Sequence, residues 1–77
     1  RSDEIWLIEA KDEAALETLR QLAETRIQSK LEETVSYAPD QYVVVEKAQL
    51  LTNGLYLALF ISPDVDAMKA GFEAAFQ

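Results

Sequence analysis

Seventy-seven residues, 49% hydrophobic and 27% charged with two Gly and two Pro, make a single domain with one core and exclude a disordered, collagen-like or repeat chain. Seven Lys plus Arg against 14 Asp plus Glu leave a net charge of −7, which opposes nucleic-acid binding and adsorption on anionic lipid. The longest apolar run, residues 55–61, is strand length and far short of the roughly 20 residues a spanning helix needs. Without Cys there is no disulfide framework, and the compartment stays open on that score.

Residues 4–10 carry Ile5, Trp6, Leu7 and Ile8 in a short β-branched and aromatic run closed by Lys11 and Asp12, which predicts a first strand. Asp12 stands where an N-cap belongs, and Glu13 adds negative charge at the positive end of the helix dipole. Leu16, Leu19, Ala23, Ile27 and Leu31 then recur at three- and four-residue steps, so a long helix with one apolar stripe should run to about Thr34.

Residues 37–47 send two signals. Pro39-Asp40-Gln41 opens like a helix, while Tyr42 and Val43 to Val45 favour a strand by propensity. Asn53-Gly54 is the signature of a two-residue hairpin loop, and with those two residues as the loop Thr52 faces Leu55, Leu50 faces Leu57 and Ala48 faces Leu59. One face of the hairpin then holds Ala48, Leu50, Leu55, Leu57, Leu59 and Ile61, and the other holds Gln49, Leu51, Tyr56, Ala58 and Phe60. Ser62-Pro63 starts a last helix in which Val65, Met68, Phe72 and Phe76 share a stripe; Gly71 inside it fits a close approach of another backbone or simple tolerance near the terminus.

The expected fold is α+β: a three-stranded antiparallel sheet in the order first–third–second, with the most apolar strand central. Its element order is strand, helix, the contested segment, strand, strand, helix. Two layers are expected, with both long helices on the leucine-rich face and the opposite face half covered.

The order Ala10-Lys11-Asp12, long charged helix, Tyr37-Ala38-Pro39, Asn53-Gly54-Leu55-Tyr56 and Ser62-Pro63-Asp64 resembles a family of small Gram-positive extracytoplasmic lipoproteins known only as domain of unknown function 4358. The resemblance covers nearly the whole chain. This chain departs from the family pattern at Trp6, where Gly is frequent, and at Val43 to Val45, where the pattern is more polar. The resemblance implies a short helix over residues 39–46 despite the valines. It also implies a lipid-modified N-terminal segment removed ahead of Arg1, and a place on the outer face of the cytoplasmic membrane. It assigns no activity and no functional residues.

Without His or Cys, acid–base chemistry would fall to carboxylates, Lys and Tyr. The carboxylate pairs Asp64/Asp66 and Glu32/Glu33 read more simply as a helix start and a solvated helix end, and Asp64/Asp66 lack the Gly and distal Glu of a calcium loop. No enzyme, cofactor or metal is expected. Arg26 and Lys30, one helical turn apart, offer a weak anion cradle with Lys47.

The strongest constellation is aromatic. If Trp6 points to the side of Tyr56 and Phe60, these three with Ile8 and Leu51 form an exposed apolar patch of the kind that marks association surfaces. If Trp6 and Ile8 point to the helix layer instead, the patch dissolves. The expected role is a non-catalytic interaction module with a protein partner or a second copy. A small-ligand site between the helix layer and residues 37–47 is the alternative, and a carboxylate-dependent enzyme the most remote reading.

Overall fold

The computed structural model describes residues 3–77, so Arg1 lies outside the described residues. It contains strand β1 (Glu4–Glu9), helix α1 (Glu13–Tyr37), helix α2 (Pro39–Glu46), strands β2 (Gln49–Asn53) and β3 (Tyr56–Ile61), and helix α3 (Val65–Ala74). The three strands are antiparallel in the order β1-β3-β2, as expected for the most apolar strand.

Helix α1 starts where the sequence places it: the Asp12 carboxylate accepts the Ala15 N–H at 2.8 Å. It runs three residues beyond Thr34, whose buried hydroxyl donates to the Lys30 carbonyl at 2.7 Å and so costs the helix no unsatisfied group. Ala23 is buried, and Ile27 and Leu31 pack with it against Leu59 and Ile61.

Residues 39–46 form the short helix that the resemblance implies, against the β propensity of the valines. Pro39 takes the first-turn position, and the fully buried Val45, with Val44, joins the Ala23, Leu59 and Ile61 cluster. Burial of a large aliphatic side chain contributes about 1.5–3 kcal/mol, which outweighs a propensity preference spanning about 1 kcal/mol.

The hairpin turns two residues off the expected register. Asn53 pairs with Tyr56 and Leu50 with Leu59, so the loop is Gly54-Leu55 and not Asn53-Gly54. Gly54 has φ +57° and no non-Gly residue has positive φ, the pattern of a type II′ turn, which needs that freedom only at its first central position. A shift of two leaves every side chain on its own face, so hydrophobic alternation does not distinguish the two registers.

The last helix overturns the two-layer expectation. α1 and α2 cover Leu59, Ile61 and Leu50, whereas α3 lies on the opposite face, where Val65 and Phe72 pack with Ala58 and Phe60 and are flanked by Leu51 and Met68. Central strand β3 is apolar on both sides, and all of its residues but Tyr56 are buried. With the leucine face already occupied by α1 and α2, the apolar stripe of α3 has its partner in Ala58 and Phe60. A Cβ added at Gly71 would meet nothing within 4 Å, so no backbone approaches it closely.

Candidate functional site

β1 pairs with β3 so that Trp6 opposes Leu59, Ile8 opposes Leu57, Ile5 opposes Phe60 and Leu7 opposes Ala58. The register splits the five patch residues between two faces. Trp6 packs against the cluster under α1 and α2, and Ile8 is half-buried on that same side. Leu51, Tyr56 and Phe60 belong to the α3 side, so the five-residue patch does not form. The cause is the uninterrupted apolar run of residues 5–8, in which either alternate pair could have faced the helices.

The exposed apolar members of β1 are Ile5 and Leu7, which lie outside the predicted patch. Ile5 is 59% and Leu7 67% exposed, and both lie on the α3 side. α3 sits over β3 and β2 and leaves β1 bare, because one helix about 10 Å across roofs about two strands spaced 4.8 Å apart.

Between β1 and α3 the surface sinks into a cleft of about 440 Å³ lined by Leu7, Tyr56, Phe60, Phe72, Phe76 and Gly71. Its aromatic wall is continuous: Tyr56 meets Phe76 at 5.5 Å between ring centroids, Phe76 meets Phe72 at 5.0 Å, and Phe72 meets Phe60 at 6.4 Å. The tilted and edge-on arrangements are those that aromatic quadrupoles favour. Phe72 and Phe76 were visible in the sequence only as a helix stripe; their place in this wall follows from the face α3 occupies.

A second, shallower depression of about 210 Å³ lies between α1 and α2, lined by Gln28, Leu31, Glu32, Val35 and Tyr42. That is where the small-ligand alternative located its site, but the deeper and more aromatic concavity is on the other side of the sheet.

Arg26 and Lys30 do not form an open anion cradle. The Arg26 guanidinium donates to both Glu4 carboxylate oxygens, from Nη2 at 2.9 Å and from Nε at 3.0 and 3.2 Å, and Lys30 Nζ lies 3.6 Å from Glu4 Oε1. The Trp6 indole N–H donates to the same carboxylate at 2.8 Å. The Arg26 hydrogen bonds hold the Glu4 carboxyl below the ordinary carboxylate range, against the opposing effect of partial burial and with further help from Trp6. The result is a polar tie between β1 and α1. Among the described residues, no group of three His, Cys, Asp or Glu is placed to hold a metal ion, and no helix is long and apolar enough to cross a membrane.

A family model described as a domain of unknown function (DUF4358) matches residues 1–62. The matched stretch ends before α3. No curated protein and no solved structure matches the chain.

Proposed function

The chain belongs to the DUF4358 family, and we propose that it is a non-catalytic association module that takes a protein partner on the half-covered α3 side of its sheet. The observation that carries this reading is the juxtaposition of exposed Ile5 and Leu7 with the aromatic cleft of Tyr56, Phe60, Phe72 and Phe76. Scattered exposed hydrophobics are ordinary, but a contiguous apolar strip beside an aromatic trough is the surface that association uses. The absence of His and Cys supports the non-catalytic part, since it removes the commonest proton carrier and the strongest side-chain nucleophile.

The proposal extends to location: a domain held by a lipid anchor outside the cytoplasmic membrane. The similarity of the Ala10-Lys11-Asp12, Asn53-Gly54-Leu55-Tyr56 and Ser62-Pro63-Asp64 segments to extracytoplasmic lipoproteins supports it.

A photoreactive amino acid at position 7, introduced in the cells that make the protein, tests the association reading. A discrete protein adduct from position 7, absent from position 43 on exposed α2, is the expected result. No protein adduct at 7, or the same adducts from both positions, would overturn it. A small apolar ligand is the second reading, favoured by a cleft volume within the roughly 300–1,000 Å³ usual for ligand pockets. Native mass spectrometry of the purified protein showing a bound lipid-sized mass would move the assignment there.

A further inference from the structure

The open edge of β1 supplies what side chains alone do not, a row of main-chain partners. The Ala10 N–H donates to the Leu55 carbonyl at 2.8 Å, and Ala10 opposite Leu55 continues the β1–β3 register in which Glu9 opposes Tyr56. In an antiparallel ladder the hydrogen-bonded positions alternate. Glu4, Trp6 and Ile8 therefore turn their N–H and C=O groups toward β3, and Ile5, Leu7 and Glu9 turn theirs outward. The same three residues carry the exposed side chains of β1 on the α3 side. Hydrogen-bonding capacity and exposed side chain coincide residue for residue, apolar at Ile5 and Leu7 and anionic at Glu9.

Charge decides the occupant. A second copy paired antiparallel through β1, with each copy's faces on matching sides, sets Ile5 against Leu7, and that register brings Asp3 opposite Glu9 twice, between chains of net charge −7. Of the two neighbouring self-registers, one sets Ile5 against Glu9 and the other sets Leu7 against Asp3. Like charges directly opposite one another are destabilising, and an apolar side chain opposite a carboxylate gains nothing. A strand with apolar residues opposite Ile5 and Leu7 and a Lys or Arg opposite Glu9 satisfies all three positions.

Resting on the association reading above, we propose that the partner is an extended basic segment of another protein. It adds antiparallel to β1 as a fourth strand, with alternate apolar side chains over Ile5, Leu7 and the aromatic cleft and its cations beside Glu9. The main-chain bonds supply affinity, and the side-chain alternation sets which sequences fit.

The test uses the full chain and a synthetic fluorescent nonapeptide, Ser-Lys-Thr-Val-Thr-Val-Thr-Lys-Ser. Three controls accompany it: the same peptide N-methylated at both valines, a version with Glu in place of Lys, and the Glu9→Lys protein. Saturable anisotropy binding is expected, with NMR amide shifts centred on Ile5, Leu7 and Glu9. N-methylation should weaken binding about tenfold, the loss of two hydrogen bonds. Glu9→Lys and the Glu peptide should each weaken it roughly two- to fivefold at low salt and less at high salt. No saturable binding, or equal binding of the N-methylated peptide, would overturn the inference. Sedimentation as a dimer, with the Ile5, Leu7 and Glu9 amides shifting with protein concentration, would overturn it in favour of a second copy while leaving the association reading intact.

Discussion

The Arg26 guanidinium grips the Glu4 carboxylate with two of its nitrogens, and through that contact the middle of α1 is tied to the first residue of the edge strand, 22 positions away in sequence. Because Glu4 also accepts the Trp6 indole N–H, one carboxylate orients both the strand end and its aromatic side chain. The Glu4 carboxyl binds its proton less readily in the folded chain than in the unfolded one. Its contribution to stability is therefore complete above the ordinary Glu pKa of about 4.3 and disappears as the pH falls through the depressed folded value. Glu4→Gln should lower the thermal midpoint at neutral pH, and the gap to the unsubstituted protein should close on acidification. A gap that stays constant in melts across the acid range would exclude this role for the pair.

Trp6 provides an optical check of the strand register. Packed against the cluster beneath α1 and α2, it should emit to the blue of free indole and resist acrylamide quenching in part. Emission like that of free indole with ready quenching would place it on the wrong side of the sheet.

The turn separates two neighbouring substitutions. Gly54→Ala forces a side chain into positive φ and should cost about 1–2 kcal/mol by denaturant melts. Asn53→Ala, at a strand position with ordinary φ, should cost no more than about 0.5 kcal/mol. Comparable losses at both positions would indicate the Asn53-Gly54 loop instead.

Gly71→Ala adds a methyl group into open space on a helix and should stabilise the chain by about 1 kcal/mol. At this chain length that raises the midpoint by about 4–8 °C. A lower midpoint would mean that the helix approaches a neighbour more closely than described.

Leu59→Ala and Leu7→Ala contrast a buried and a surface leucine, each the fourth residue of its strand. The first should cost about 2–5 kcal/mol and the second less than about 0.5 kcal/mol, both read from chemical denaturation. Equal losses would mean that the β1 surface is covered.

The course of α1 is legible because Asp12 and the spacing of Ala23, Ile27 and Leu31 make mutually consistent local demands, met by the Asp12 cap and by the packing of those three side chains on the sheet. The strand order was legible because only one strand, residues 56–61, is apolar enough for the centre. The site was less so, for three separable reasons. Ile5, Trp6, Leu7 and Ile8 are all apolar, so alternation is silent about which pair faces α1 and α2, and it is Ile5 and Leu7, not Trp6 and Ile8, that share a side with Tyr56 and Phe60. The stripe of Val65, Met68, Phe72 and Phe76 fixes which side of α3 is buried but not which face of the sheet receives it. Val43, Val44 and Val45 have strand preferences that lose to the burial of Val45, a tertiary effect that composition does not contain.

Leu59 and Ile61 on one side of β3, and Ala58 and Phe60 on the other, belong to two separate apolar clusters that meet only through the sheet, Leu50 of β2 flanking the first and Leu51 the second. Coupling between the two faces consequently runs through the sheet, chiefly through the central strand that both clusters are built on. The C-terminal helix, packed on one cluster alone, is expected to detach and reattach as its own sub-global unit while the cluster beneath α1 and α2 stays protected from solvent. In native-state amide exchange, its protons would be replaced well before those of the strand it rests on.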